Sequence, residues 1–169
     1  MKPLLLAIAL AVAPALPFAV RAHEPAPPAA SEVVPPATAA AAAATAPAIA
    51  VVESFSIALK AGDFSKAGAL LADDVLILES GGAEHSRQEY LSGHAKHDAA
   101  FLKDAQIAIK QRVARIEGDL AWVGTESELR MTTLPGTTVT LMSTETMVLR
   151  RMRDGWRIVH IHWSSSPKR

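Results

Sequence analysis

The sequence predicts an α+β domain in which helices cover one face of a strongly curved, mainly antiparallel sheet. Between Ala48 and Leu102 most apolar residues recur at helical spacing, whereas from Gln106 onward the period changes to two. The later segments are punctuated by Gly118-Asp119, Leu134-Pro135-Gly136 and Asp154-Gly155. Turns this short join antiparallel neighbours, because parallel ones need long crossovers. Helices followed by a meander give an α+β layer arrangement.

The first 22 residues read as a secretory signal rather than as fold. Lys2 precedes an apolar run from Leu4 to Val20, and Val20-Arg21-Ala22 offers a cleavage site before His23. An uncleaved membrane anchor is the alternative, but Pro14 and Pro17 interrupt a run already short for a span of about 20 residues. The expectation is an exported protein, periplasmic or secreted, with no stable span after cleavage. Loss of Lys2 and Arg21 leaves 15 of the 17 Lys and Arg against 17 Asp and Glu, a net charge of −2. Without a basic excess, nucleic acid and anionic membrane are poor partners. There is no cysteine, so stability must come from the core, and no thiol serves as nucleophile or metal ligand. Residues 23–47, rich in Ala and Pro, read as a disordered linker. If cleavage exposes His23, its amine and imidazole form a copper-binding pair, although an exposed terminal histidine usually has no role.

Residues 48–169 are the size of one domain. Val51, Val52, Phe55, Ala58 and Leu59 define a first helix over 48–61, stopped by Gly62. Asp63 caps a second, Phe64–Leu71, with Phe64, Ala67, Leu70 and Leu71 buried. Asp73-Asp74 ends it, and Val75–Glu79 reads as a buried strand closing on a carboxylate before Ser80-Gly81-Gly82. Ser86 and Glu89 form a capping box for a third helix reaching Leu102, whose inward stripe is Tyr90, His94, His97 and Phe101. Four strands follow, 106–117, 120–131, 138–153 and 156–165.

The last strand carries the sharpest signal. Strict alternation puts Trp156, Ile158, His160, His162 and Ser164 on one face, and Arg157, Val159, Ile161 and Trp163 on the other. The two histidines then stand roughly 7 Å apart on a face that opens apolar and closes polar. Trp122, Gly124, Glu126 and Glu128 share a side, and Glu145 falls on the mostly apolar side of its strand with Val139, Leu141, Ser143, Met147 and Leu149. Ionised carboxylates are seldom buried unless paired or bound to a cation. A single histidine on an apolar stripe is more often a hydrogen-bonded core residue than a ligand. A pair on one strand facing a third on a helix can instead hold a metal.

Three segments carry a resemblance: Val51-Val52-Glu53-Ser54-Phe55 with Ala61-Gly62-Asp63, Leu71-Ala72-Asp73-Asp74-Val75, and Gly155-Trp156-Arg157-Ile158-Val159-His160-Ile161-His162-Trp163-Ser164. On these, residues 48–165 resemble the nuclear transport factor 2-like superfamily, in particular its SnoaL-like and ketosteroid-isomerase-like bacterial members. The closing strand is also similar to that of the calcium/calmodulin-dependent kinase association domain. The resemblance implies a cone-shaped fold and a homodimer. It places Glu79 where the steroid isomerases keep a general-base aspartate, Phe55 where they keep a tyrosine donor, and Met147 where they keep a protonated aspartate. With both oxyanion donors absent, steroid isomerisation is not expected.

The leading expectation is a domain binding a small polar molecule in an internal pocket lined by Glu79, Tyr90, His94, Glu126, Glu145, His160 and His162. One alternative is acid–base catalysis of the isomerase, hydratase or hydrolase type, with Glu79 as base and a pocket histidine as acid or electrophile. Another is zinc or copper held by His94, His160 and His162. A further one is a dimeric scaffold joined through outward Val159, Ile161 and Trp163.

Overall fold

The computed structural model describes residues 39–79, 81–134 and 137–168. The expected signal segment and the expected linker up to residue 38 lie outside the described residues. The elements are helices α1 (Ala39–Lys60) and α2 (Phe64–Leu70), strands β1 (Leu71–Glu79) and β2 (Gly82–Glu84), helices α3 (Arg87–Ser92) and α4 (His94–Leu102), and strands β3 (Gln106–Glu117), β4 (Leu120–Leu134), β5 (Thr137–Met152) and β6 (Gly155–Pro167). The strands form one sheet in the order β2-β1-β6-β5-β4-β3, antiparallel throughout except for the β1/β6 pair. The sheet is curved, and the helices pack on one of its faces.

Helix α1 begins nine residues before the expected boundary, so 39–47 are helix rather than linker. Ala39–Ala44 is a run of the strongest helix former, which outweighs the missing donor at Pro47 within the helix. Thr45 and Ala48 are already buried there. By length and hydropathy α1 could cross a membrane. Its Val52, Phe55, Ala58 and Leu59, however, are packed into the core of this domain. Gly62, at φ 71°, turns the chain out of the helix. Asp63 Oδ1 then accepts from the Lys66 amide at 3.0 Å and starts α2.

The core lies between α1 and the sheet. Val52, Phe55 and Leu59 meet Val75 and Ile77 of β1, Val123 of β4, Met147 and Leu149 of β5, and Ile158 and Ile161 of β6, all fully or almost fully buried. Each such side chain contributes about 1.5–3 kcal/mol of transfer free energy. Trp156 belongs to this core, with the Arg151 guanidinium 4.4 Å from its ring centre.

The third helix is two helices. Gly93, at φ −129° and ψ −87°, ends α3 and precedes α4, which restarts at His94. Ser86 caps α3 as expected, its Oγ accepting from the Glu89 amide at 3.1 Å, while Glu89 Oε2 accepts from the amide of His85. The break divides the expected inward stripe. Tyr90 is buried and His94 half-buried, but His97 is exposed and Phe101 is 49 % exposed.

Register shifts leave Lys110 unpaired on β3, between Ile109 and Gln111, and Val159 unpaired on β6, between Ile158 and His160. A bulge adds one residue to one strand and reverses the alternation beyond it. On β6 the inward residues are Trp156 and Ile158 before the bulge, then Ile161 and Trp163 after it. The expectation that His160 and His162 share the inner face with Trp156 is therefore overturned; both stand on the outer face. The proposed dimer contact of Val159, Ile161 and Trp163 fails for the same reason, since Ile161 is fully buried and Trp163 packs against the core. Glu126 also lies on the outer face, because Val123, Thr125 and Ser127 are the inward residues of β4.

Candidate functional site

A cavity of about 210 Å³ opens between the helices and the inner face of the sheet. Phe55 and Leu59 of α1, Phe101 and Leu102 of α4, Ile107 and Ile109 of β3 and Leu129 of β4 make its walls largely apolar. Phe101, Ile107 and Ile109 are each about half exposed, so apolar surface reaches the mouth. Polar groups enter from Glu79, Asp98, Arg112, Thr125, Ser127, Ser143, Glu145 and the serines after Trp163.

At one end Glu79, from the end of β1, meets residues of β2, α3 and α4. His94 Nδ1 stands 2.6 Å from Glu84 Oε1 and 2.9 Å from Glu79 Oε1. One ring nitrogen carries at most one hydrogen, and here it is directed to Glu84. Glu79 Oε1 and Glu84 Oε2 are buried without a hydrogen-bond donor. Asp98, one turn along α4, has Oδ1 3.9 Å from His94 Nε2, while its Oδ2 accepts from the buried Tyr90 hydroxyl at 2.7 Å. Burial, and then the Asp98 and Glu84 carboxylates, hold the Glu79 carboxyl above its usual range against the pull of His94. Burial likewise raises Asp98, opposed by Tyr90 and His94. The hydrogen bond to Glu84 raises His94, against burial and with help from Glu79 and Asp98. Burial, then Asp98, pushes Tyr90 up, so the phenol keeps its proton. Three carboxylates thus crowd one imidazole.

The other end is organised differently. Glu145 Oε2 accepts from the Trp163 indole at 2.7 Å. Arg112 Nε donates to Thr125 Oγ1 at 3.1 Å, and its Nη1 donates to Glu53 of α1 at 2.7 Å. Burial raises Glu145, opposed by Trp163, Arg112 and Thr125. Trp163 stacks on Phe55, with centroids 6.5 Å apart and planes at 17°, and tilts against Tyr90 at 6.4 Å.

Of the residues the sequence pointed to, the structure gathers Glu79, Tyr90 and His94 at one end and puts Glu145 at the other. Tyr90 acts there through Asp98. It does not bring in Glu126, which lines a shallow outer groove with Trp122, Thr144 and Thr146. Nor does it bring in His160 or His162. His160 Nδ1 donates to the Leu76 carbonyl at 2.9 Å across the β1/β6 pair, and His162 is exposed. The tripod of His94, His160 and His162 is not assembled. Sequence reasoning missed Glu84 and Asp98. Asp98 was legible as the i+4 neighbour of His94 on a helix, whereas Glu84 depends on a three-residue hairpin strand that no periodicity announces.

This architecture, helices closing a cavity against a curved sheet with one parallel strand pair, is that of the nuclear transport factor 2-like proteins. Within that class the chain belongs to the SnoaL-like domain family, which it matches over residues 49–167. Among solved structures, a candidate ketosteroid isomerase from Shewanella frigidimarina is 36 % identical, covers 68 % of this chain and 91 % of its own, and superposes with a TM-score of 0.64. A candidate dehydratase of the same fold from Streptomyces avermitilis is 20 % identical over 76 % of this chain and 98 % of its own, with a TM-score of 0.59. The association domain of the C. elegans calcium/calmodulin-dependent kinase II is 17 % identical over 75 % and 99 %, with a TM-score of 0.61. The last two likenesses concern the fold alone. No curated protein sequence matches the chain.

Proposed function

We propose that the domain binds a small molecule with an apolar body and one polar group in the cavity between α1, α4 and the sheet. The observation that carries this is the cavity's division into apolar walls and two separate polar ends. Ligand sites combine apolar lining with a few convergent polar groups, and about 210 Å³ lies below the usual range of about 300–1,000 Å³, which selects a small ligand. Trp163 lies in the wall and reports occupancy through its fluorescence. A thermal-shift and fluorescence screen of small oxygenated hydrocarbons, repeated on a Ser143→Trp variant that fills the cavity, tests the reading. Hits must weaken in the filled variant; hits that bind it equally well would place the ligand elsewhere.

Acid–base turnover is the second reading, favoured by the 36 % identical candidate isomerase and by Glu79 at the end of β1. Glu79→Gln should then abolish turnover while ligand binding persists. Export through residues 1–22 belongs to the same proposal, and amino-terminal sequencing of protein from cell fractions checks it by finding His23 first. Homodimer formation is proposed through the outer sheet face, where Trp122 is 37 % exposed. A Trp122→Arg variant that keeps the native mass in solution would remove that face from the interface.

A further inference from the structure

We propose that the acidic end of the cavity binds a divalent first-row transition cation, with Glu79, His94 and Asp98 as ligands and Glu84 as a fourth donor beside the imidazole. One donor atom from each of Glu79, His94 and Asp98 lies within 4.8 Å of the others. Glu84 Oε1 and Glu79 Oε1 stand 2.6 and 2.9 Å from one ring nitrogen, Nδ1, and Asp98 Oδ1 stands 3.9 Å from the other, Nε2, where ligands at about 2.1 Å around a tetrahedral ion are about 3.4 Å apart. One ring nitrogen serves the ion, so binding turns the imidazole or the Asp98 carboxylate until all donors meet it.

The second observation is independent of this spacing. Glu84 is 9 % exposed, and its Oε2 has no donor; Glu79 Oε1 is buried without one as well. Buried carboxylate oxygens are normally hydrogen-bonded or bound to a cation. The nearby N–H on His94 is directed to Glu84 Oε1 and serves neither of these two oxygens. A dication satisfies both oxygens and reduces the repulsion among three carboxylates. Tyr90 donates to Asp98 Oδ2 and fixes that carboxylate from outside the set, as partners of metal ligands commonly do. One nitrogen and up to three oxygens, with no thiolate, suit Zn²⁺ or Mn²⁺ rather than Cu⁺.

The site stands whether or not the cavity takes an organic ligand. A bound cation turns Glu79 into a ligand, so loading also decides against a free Glu79 base. The test is calorimetric titration of the chelator-treated full chain with Zn²⁺ and Mn²⁺, no organic compound present. The comparison set is Glu84→Gln, His94→Ala, Asp98→Asn and a His160→Ala/His162→Ala double variant, each checked for fold by circular dichroism. One equivalent should bind to the wild type and the double variant alike. Affinity should fall by at least about tenfold in the other three. Absence of stoichiometric binding to the wild type overturns the proposal, as does unchanged affinity in folded Asp98→Asn and His94→Ala. Should those variants not fold, Co²⁺ added to the wild type decides: intense visible bands of a four- or five-coordinate site support it, and the weak spectrum of hydrated Co²⁺ overturns it. Neither negative result touches the cavity's binding of an organic molecule.

Discussion

Glu79 and Glu145 face the same cavity and are both raised by burial, yet the protein treats them in opposite ways. Glu145 is given an indole donor, with Arg112 and Thr125 nearby. Glu79 is set against two further carboxylates and left with a buried oxygen that nothing donates to. The difference teaches where function lies. A buried acid with its own donor is a finished structural element, whereas one held among like charges has capacity for a ligand, a proton or a cation.

The comparison can be broken first at Trp163, which serves the Glu145 end and stacks on Phe55. Trp163→Ala should destabilise the domain by about 3–5 kcal/mol in urea denaturation, through lost packing and a carboxylate left without its donor. Tyr90→Phe probes the opposite end. It removes only the hydroxyl donated to Asp98, and a loss of about 1.5–3 kcal/mol is expected, as for a hydrogen bond to a charged group. A neutral result would mean that Asp98 finds another donor.

Charge removal sharpens the contrast through pH. Because Glu145 has a raised folded pKa, its contribution to stability is complete below 4.5 and is lost as pH rises through the folded value. Glu145→Gln should therefore be more stable than wild type at neutral pH and equal to it below 4.5, read from melting temperatures across pH. Glu128, on the outer face, gives the reverse sign. The hydrogen bond from Lys168, followed by Lys110 and against burial, lowers it to about 2. Glu128→Gln should lose stability at neutral pH, with the deficit vanishing as pH falls from 4.5 through about 2. The smallest effect belongs to His160→Ala, which forfeits one hydrogen bond to Leu76, about 1 kcal/mol, and leaves cavity binding unchanged.

Much of the fold was legible because local signals agreed. The Gly62-Asp63 stop and cap, the Ser86 cap and the β3 boundaries lie where composition and period put them. Glu79 and Glu145 were found by the same logic, one closing a strand and one out of place on an apolar face. The histidines of β6 were not, since alternation assumes an unbroken ladder. The bulge at Val159 is a feature of the β5/β6 pairing, with no mark in the strand itself. The break at Gly93 hid the exposure of His97 in the same manner. Glu84 and Asp98 gain meaning only when a three-residue hairpin strand is laid beside α4.

Val159 decides which side chains of β6 make the cavity floor. Deleting that one residue would pair Ile158 and His160 in an unbroken ladder and leave Ile161 and Trp163 facing inward. Pairing it in the ladder at unchanged length would instead turn the strand beyond it over, pointing two imidazoles to the cavity and expelling Ile161 and Trp163 to solvent. Loss of the bulge at constant length thus acts as a multiple substitution of the cavity floor, by which one scaffold could exchange an aromatic floor for a titratable one without altering a residue at the site itself.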